Sequence, residues 1–436
     1  MLKIGLESKG KHIIIPGQSE VDNSANAFSI RYRSERALKV FVCFKCEGSA
    51  EGYFTEEFFI EAGAGEFKSF VSLPDSEKVI VLKLHVENLE SQEGTAEIGQ
   101  PCFFRTAPMP QLLTLENDLY SVGVDLAQGG AISHIMSNLF GTAENHDAGK
   151  IAFFKESSGK ERSNLVNIFD KGRLIQQSYY GIDRSPYPVG SFFGNVWRFN
   201  PVQSGDKYGN GSKIVWYEKL ENRIYVKVRP LDWGKSGFLT DTYMENVYSF
   251  EDGCIKVENR FVDFSMFDHS VSGEAAQERP AFYPIAPLDR FIVFSDGGET
   301  CYPDLKFWGE PDTDLSQRIA VPEGMSAWVN AEGFGLGLFT PASRIHLAGR
   351  YKAGEPYRCA AALSDPVSYS AAIETVTLQS LKPYGYIYYI AAGKSEEIYR
   401  NFKAIANNNL SEGRDDEESS CGINDTCDTA VCGGVQ

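Results

Sequence analysis

The chain has 436 residues, of which 42% are apolar and 13% aromatic, enough to bury sizeable cores in two domains. Acidic side chains outnumber basic ones, 59 to 42, for a formal charge of −17. A surface of that sign repels phosphate backbones and anionic lipid, so neither nucleic acid nor a membrane is an expected partner.

No stretch approaches the roughly 20 apolar residues that span a bilayer. Met1-Leu2-Lys3-Ile4 lacks the apolar run of a signal peptide. The expectation is a soluble protein, cytoplasmic as written, or secreted or periplasmic if a leader has been removed. Nine scattered cysteines are an odd number and argue against a full disulfide framework. No ordered ligand spacing points to calcium, and neither metal nor cofactor is expected.

Phe28, Ile30 and Tyr32 alternate with polar residues, as do Leu38, Val40, Val42 and Phe44, then Ile80, Leu82, Leu84 and Val86. That period predicts half-buried antiparallel strands and, with the turns between them, a small β-sandwich over 1–108. Arg105 to Pro110 reads as the linker that ends it. From Gln111 the strands lengthen. Asp252-Gly253 between Tyr248–Phe250 and Cys254–Val257 suits a tight hairpin turn. Nearly 280 residues of strand over 111–409 exceed one small sandwich, so two large apposed antiparallel sheets, a β super-sandwich, are expected. One helix is predicted. Ser395 caps it, Glu396 and Glu397 complement its positive end, Ile398, Phe402 and Ile405 share a face, and it stops at 407–409. The tail, 410–436, reads as disordered, acidic and cysteine-containing. The fold class is thus all-β with a single C-terminal helix.

The stretch 164–212 is rich in amides and aromatics. Sugars offer rows of hydroxyls that Asn, Gln, Asp and Arg match, and C–H faces that lie on Tyr and Trp rings. Asn167, Arg173, Gln176, Gln177, Tyr179, Tyr180, Trp197, Asn200, Gln203 and Asp206 are therefore candidate saccharide contacts. The same residue types also build turns and the wet face of a strand. A second constellation is Gln277-Glu278-Arg279 followed by Tyr283, in which Glu278 would have a tunable pKa if it faced a groove. Glycosidic cleavage generally uses two carboxylates about 5–9 Å apart, and Asp170 and Glu278 are the proposed pair, with Asp206 as a substitute for the first.

The run from Tyr120 to Ser133, with Gly129-Gly130 leading into Ile132-Ser133, resembles the opening hairpin of galactose-mutarotase-like domains. Asp170-Lys171-Gly172-Arg173-Leu174-Ile175-Gln176 resembles a central stretch of several members of that superfamily. The resemblance spans about 111–409 and implies a β super-sandwich whose concave face binds saccharide. That superfamily holds epimerases, domains of glycoside hydrolases and phosphorylases, and polysaccharide lyases, and fold alone does not choose among them. The paired histidines of true mutarotases are not found. His134, His146 and His269 read as surface or satisfied core residues.

The leading expectation is an enzyme that cleaves glycosidic linkages of an oligo- or polysaccharide. The alternatives are a non-catalytic carbohydrate-binding protein, or a lyase or epimerase using the same groove. A lyase would take Tyr179 or Tyr180 as base, with Gln177 and Arg173 neutralising a uronate. Gly333 to Phe339 reads as a strand whose glycines permit close contact rather than a nucleotide loop. Cys43 and Cys46 lie in an alternating strand and do not suit zinc, and the tail residues Cys421, Cys427 and Cys432 lack the spacing of a standard finger. Trp308 and Trp328 are expected in the core.

Overall fold

The computed structural model describes residues 1–137, 153–155, 161–167, 172–303, 305, 317–351 and 367–412, apart from 8, 10–11, 17–19, 22–23, 47–51, 74–78, 185–186, 188–189, 193–194 and 286. Asp170, His146, Trp308 and the tail beyond 412 lie outside the described residues.

The alternating runs near the N-terminus form strands Ala27–Ser34, Leu38–Cys46 and Val79–Asn88. Ala27–Ser34 is central to a five-stranded sheet, and the other two pair within a six-stranded sheet. Phe28, Ile30, Val40, Val42, Leu84 and Val86 fill one apolar core between these sheets.

Two larger antiparallel sheets follow. The nine-stranded sheet runs in the order Lys213–Lys219, Arg223–Arg229, Thr242–Glu251, Cys254–Asp263, Tyr384–Lys394, Phe334–Phe339, Met325–Val329, Arg290–Ser295, Gly298–Tyr302. Strands Thr242–Glu251 and Cys254–Asp263 are joined at Asp252 (φ 45°) and Gly253 (φ 74°), two successive left-handed residues as a type I′ turn requires. The seven-stranded sheet has the order Leu231–Asp232, Pro201–Val202, Gln176–Ser178, Ala275–Phe282, Val367–Val376, Ile345–Tyr351, Arg318–Ala320. Between the two sheets lies the largest core, with Val226, Met244, Val257, Phe261 and Ile390 from one side and Ile175, Tyr179, Phe282 and Ala348 from the other. The all-β super-sandwich expected from strand count is the observed architecture. Trp328 is fully buried in this core and donates its indole N–H to Ser370 Oγ at 3.2 Å.

The back of the nine-stranded sheet is covered twice. Val215, Tyr243, Val262 and Phe264 merge with the core of the N-terminal sandwich. Phe59 N–H donates to Tyr243 Oη at 3.0 Å, and the Phe59 and Phe264 rings stack at 5.2 Å. The other half takes the helix, Ser395–Glu412, whose Ile398, Phe402 and Ile405 pack on Ile292, Phe294, Ala327 and Phe339. The helix starts at Ser395 as expected and runs a few residues past the predicted stop at 407–409. Gly337 explains the glycine-rich strand: a Cβ there would sit 2.4 Å from Ile398 Cγ2 and 2.9 Å from Phe402 Cε2. Backbone and helix meet where only a hydrogen fits.

Phe402 is fully buried at this contact. Phe402→Ala should lower stability by about 3–5 kcal/mol, the usual cost of such a cavity, as read from the denaturant midpoint.

Candidate functional site

Much of the back of the nine-stranded sheet is covered by the sandwich and the helix, and its inner face is core. The outer face of the seven-stranded sheet is where chemistry-bearing side chains gather. Directly paired residues of an antiparallel sheet share a face. Ser178 pairs with Glu278, and Glu278 with Ile373, so these three form one row. Ile373, Tyr369, Ala371, Ala281 and Tyr283 make an apolar cluster on the same face, and the Tyr283 and Tyr369 rings lie 4.8 Å apart.

Glu278 is half-buried at the centre of that row. Its Oε1 accepts from Tyr369 Oη at 2.6 Å and from Tyr180 Oη at 3.0 Å. Burial pushes its carboxyl above the usual carboxylate range, and the hydroxyls of Tyr369, Tyr180 and Ser178 pull the other way without cancelling it. A carboxyl with a raised pKa between two phenols can hold a proton and hand it to a ligand oxygen, or take one back. Tyr180 turns its ring edge-on to Trp197, with centroids 6.2 Å apart. Both rings are half-buried.

Behind this face stands a polar framework. Asn200 Nδ2 donates to Ser178 Oγ at 3.1 Å and to the Tyr179 carbonyl at 2.8 Å, while its Oδ1 accepts from Trp197 Nε1 at 3.1 Å. Gln203 Oε1 accepts from Gln177 N–H at 3.1 Å, and its Nε2 donates to Tyr248 Oη at 3.0 Å. Gln177 Nε2 donates to Asn246 Oδ1 at 2.8 Å. Gln176 Nε2 reaches the Gly172 carbonyl at 2.8 Å, and Asn167 Nδ2 the Arg173 carbonyl at 3.1 Å. Tyr179 stacks on Phe261 at 4.0 Å between the sheets. Asp206 folds the loop around it, accepting from Tyr208 N–H (2.9 Å), Asn210 N–H (3.0 Å), Asn210 Nδ2 (2.8 Å) and Gly237 N–H (2.7 Å). Asn167, Arg173, Gln176, Gln177, Tyr179, Asn200, Gln203 and Asp206 are all buried. Of the predicted site residues, the structure brings Glu278, Tyr180 and Trp197 together on the outer face. Gln176, paired with Ala281, shares that face but is buried and bonded to the Gly172 carbonyl, and the other seven are buried in the strands and loops around it.

Two residues at this locus have no local sequence signal. Tyr369 lies 91 residues from Glu278 and reaches it only through strand pairing. Asp232 is fully buried beside the Trp197 support. Its Oδ2 accepts from Asn200 N–H at 3.2 Å and its Oδ1 from Gly234 N–H at 3.0 Å, and the Trp197 and Trp233 rings are 5.2 Å apart. Burial pushes the Asp232 carboxyl up to about 7, against the pull of the two amides and of Lys235.

His269 is engaged in the loops beside Asp263. His269 Nδ1 accepts from Ile182 N–H at 3.0 Å, which leaves its Nε2–H to donate to Asp263 Oδ2 at 3.1 Å. Burial pushes His134 down to about 4 and His346 to about 3, so both are neutral near pH 7. No helix among the described residues is long and apolar enough to cross a membrane.

No family model and no curated protein matches the chain. Solved structures do align with it. A galactose mutarotase related enzyme from Lactobacillus acidophilus aligns over 65% of this chain and 98% of its own, at 9% identity and a TM-score of 0.37. A galactose mutarotase-like protein from Lactobacillus casei aligns over 65% and 100%, at 8% identity and 0.35. An alpha-mannosidase from Enterococcus faecalis aligns over 94% of this chain and 45% of its own, at 7% identity and 0.35.

The raised pKa of Asp232 gives a signed expectation. Below the unfolded carboxylate pKa of about 4, folded and unfolded chains are both protonated there. Between that value and about 7 only the folded chain holds the proton, so this group's stabilising contribution fades as pH rises through the window. Asp232→Asn lacks that loss. Its stability relative to wild type should rise by up to about 4 kcal/mol between pH ~4 and pH ~8, as measured by urea unfolding at both. An unchanged difference would mean Asp232 titrates normally.

Proposed function

We propose that this chain is a carbohydrate-active enzyme whose reaction centre is Glu278 on the outer face of the seven-stranded sheet. The observation that carries the reading is the half-buried Glu278 carboxyl, held by the hydroxyls of Tyr369 and Tyr180 and raised in pKa by burial. In this reading Glu278 protonates a sugar oxygen, Tyr369 and Tyr180 orient the carboxyl, and Trp197 with Tyr180 receives the apolar face of a sugar ring. The buried amides Asn200, Gln203 and Gln177 keep these elements in place through internal bonds rather than by touching substrate. The resemblance of 120–133 and 170–176 to galactose-mutarotase-like domains points to the same substrate class. The sandwich at 1–108 would be an accessory unit bound to the back of the sheet.

For the reaction type, cleavage of a glycosidic linkage is the first reading, with Asp170 as the second carboxylate. A second reading is favoured by the two phenols at Glu278. Proton transfer at a sugar carbon or ring oxygen, as in elimination or epimerisation, needs an acid–base pair and not two carboxylates. Incubation with a panel of oligo- and polysaccharides distinguishes them. New reducing ends report hydrolysis, a new ultraviolet-absorbing double bond reports elimination, and altered sugar stereochemistry with no cleavage reports epimerisation. Binding without any product would leave a carbohydrate-binding protein.

Glu278→Gln should lower kcat by about 10²–10⁴-fold with little change in KM, the usual share of a general acid. A phenol donating to the carboxylate favours its charged form, so Tyr369→Phe should move the Glu278-dependent limb of the kcat/KM profile to higher pH. A limb that stays in place, or moves down, would remove Tyr369 from this role.

A further inference from the structure

Between the two large sheets, polar side chains form a continuous row within an otherwise apolar core. Asn246 pairs with Asn259, and Asn259 with Tyr386, so the three share the inner face of the nine-stranded sheet. Gln177, Tyr179 and Arg279 meet them from the seven-stranded sheet. Gln177 bonds Asn246 at 2.8 Å, Tyr179 stacks on Phe261, two residues along from Asn259, and the Arg279 guanidinium lies 4.8 Å from the Tyr386 ring centroid. All six side chains are buried.

These residues keep buried polar atoms that no protein group bonds: Gln177 Oε1, Tyr179 Oη, Asn246 Nδ2, both Asn259 side-chain atoms, Arg279 Nε and Tyr386 Oη. Folded proteins rarely leave one such atom dry, since each forfeits its solvation with no return. Here they cluster on one row. The set is mixed: amide and guanidinium N–H groups donate, amide oxygens accept, and the two phenols do both. An anion would face the amide oxygens, and a cation would face Arg279. A small neutral hydroxylic molecule satisfies both kinds of group at once. A cleft lined by Thr340, Ser343, Glu374 and Ile387 also reaches Arg279 and Tyr386. Glu374, the ion-pair partner of Arg279, has a side chain 43% exposed, so the cleft communicates with solvent.

We propose that the row Asn246–Asn259–Tyr386, closed by Gln177, Tyr179 and Arg279, is an internal binding site for ordered water, fed through the cleft at the Arg279–Glu374 pair. The water joins the two sheets by bridging the polar atoms that no protein group bonds. It also braces the strand Gln176–Ser178 from behind, because Gln177 and Tyr179 face the row while Ser178 faces Glu278.

The test compares wild type with Asn259→Leu. A high-resolution crystal structure of wild type should show water within about 3.2 Å of Asn259 Oδ1, Asn259 Nδ2 and Tyr386 Oη. Oxygen-17 relaxation dispersion in solution should count fewer long-lived waters in the variant. The thermal midpoint of Asn259→Leu should fall by about 2 °C or more, since Leu expels water that other buried groups need. No water beside Asn259 in wild type overturns the proposal, and so does a variant that is more stable than wild type, the result expected of a dry row relieved of an unpaired amide. If the variant does not fold, the wild-type crystal structure alone decides.

Discussion

The nine-stranded sheet packs its inner face on the seven-stranded sheet and parts of its back on the N-terminal sandwich and the C-terminal helix. Where such a sheet is covered on both faces its strands are apolar in both directions, and where its back meets solvent they alternate. Strand Cys254–Asp263 shows both cases, with part-exposed Lys256, Glu258 and Arg260 alternating in its middle and apolar pairs at its ends. Ile255, Val257 and Phe261 point into the central core, Cys254 meets the helix, and Val262 meets the sandwich. On the inner face Asn246, Asn259 and Tyr386 form a polar row beside apolar neighbours such as Val257, Phe261 and Ile390.

The proposed reaction centre lies on the sheet that the sandwich and the helix leave uncovered. The outer face of the seven-stranded sheet carries Glu278 and Tyr180, with Trp197 beside them. The carboxyl there lies in an environment dry enough to raise its pKa, yet within reach of two phenols that stabilise its charged form. Such opposed influences set a group near the pH range where it can both give and accept a proton. The Asp232 support makes the neighbouring aromatic platform part of a rigid frame. Gly234 lies against Trp197 closely enough that a Cβ would come within 2.7 Å of the indole.

Much of the fold was legible in the sequence because period and turn chemistry are local. Alternation at 28–32, 38–44 and 80–86, the Asp252-Gly253 turn and the Ile398–Phe402–Ile405 stripe each predicted an element that is present. The site was legible only in part. The density of amides and rings over 164–212 marks a polar, aromatic locus, but an amide that holds a strand and an amide that holds a sugar are the same residue. Which way each points depends on register, and register arises from pairing between strands far apart in the chain. Glu278 was visible because Arg279 and Tyr283 lie beside it, whereas Tyr369 comes to it from a distant strand. Asp232 gave no signal because its environment is built by Asn200 and Gly234 backbone groups.

One feature of the strand order bears on how the chain acquires its shape. Tyr384–Lys394, the last strand in sequence, is central in the nine-stranded sheet, paired with Cys254–Asp263 on one side and Phe334–Phe339 on the other. The hairpins before it can form early from near neighbours, but they remain two separate half-sheets with raw edges. Only the final strand zips them into one surface, and it closes loops of well over a hundred residues in doing so. The last strand is in this sense a keystone: closing its long loop costs more chain entropy than forming the hairpins, and a half-sheet without it has an edge open to wrong pairing.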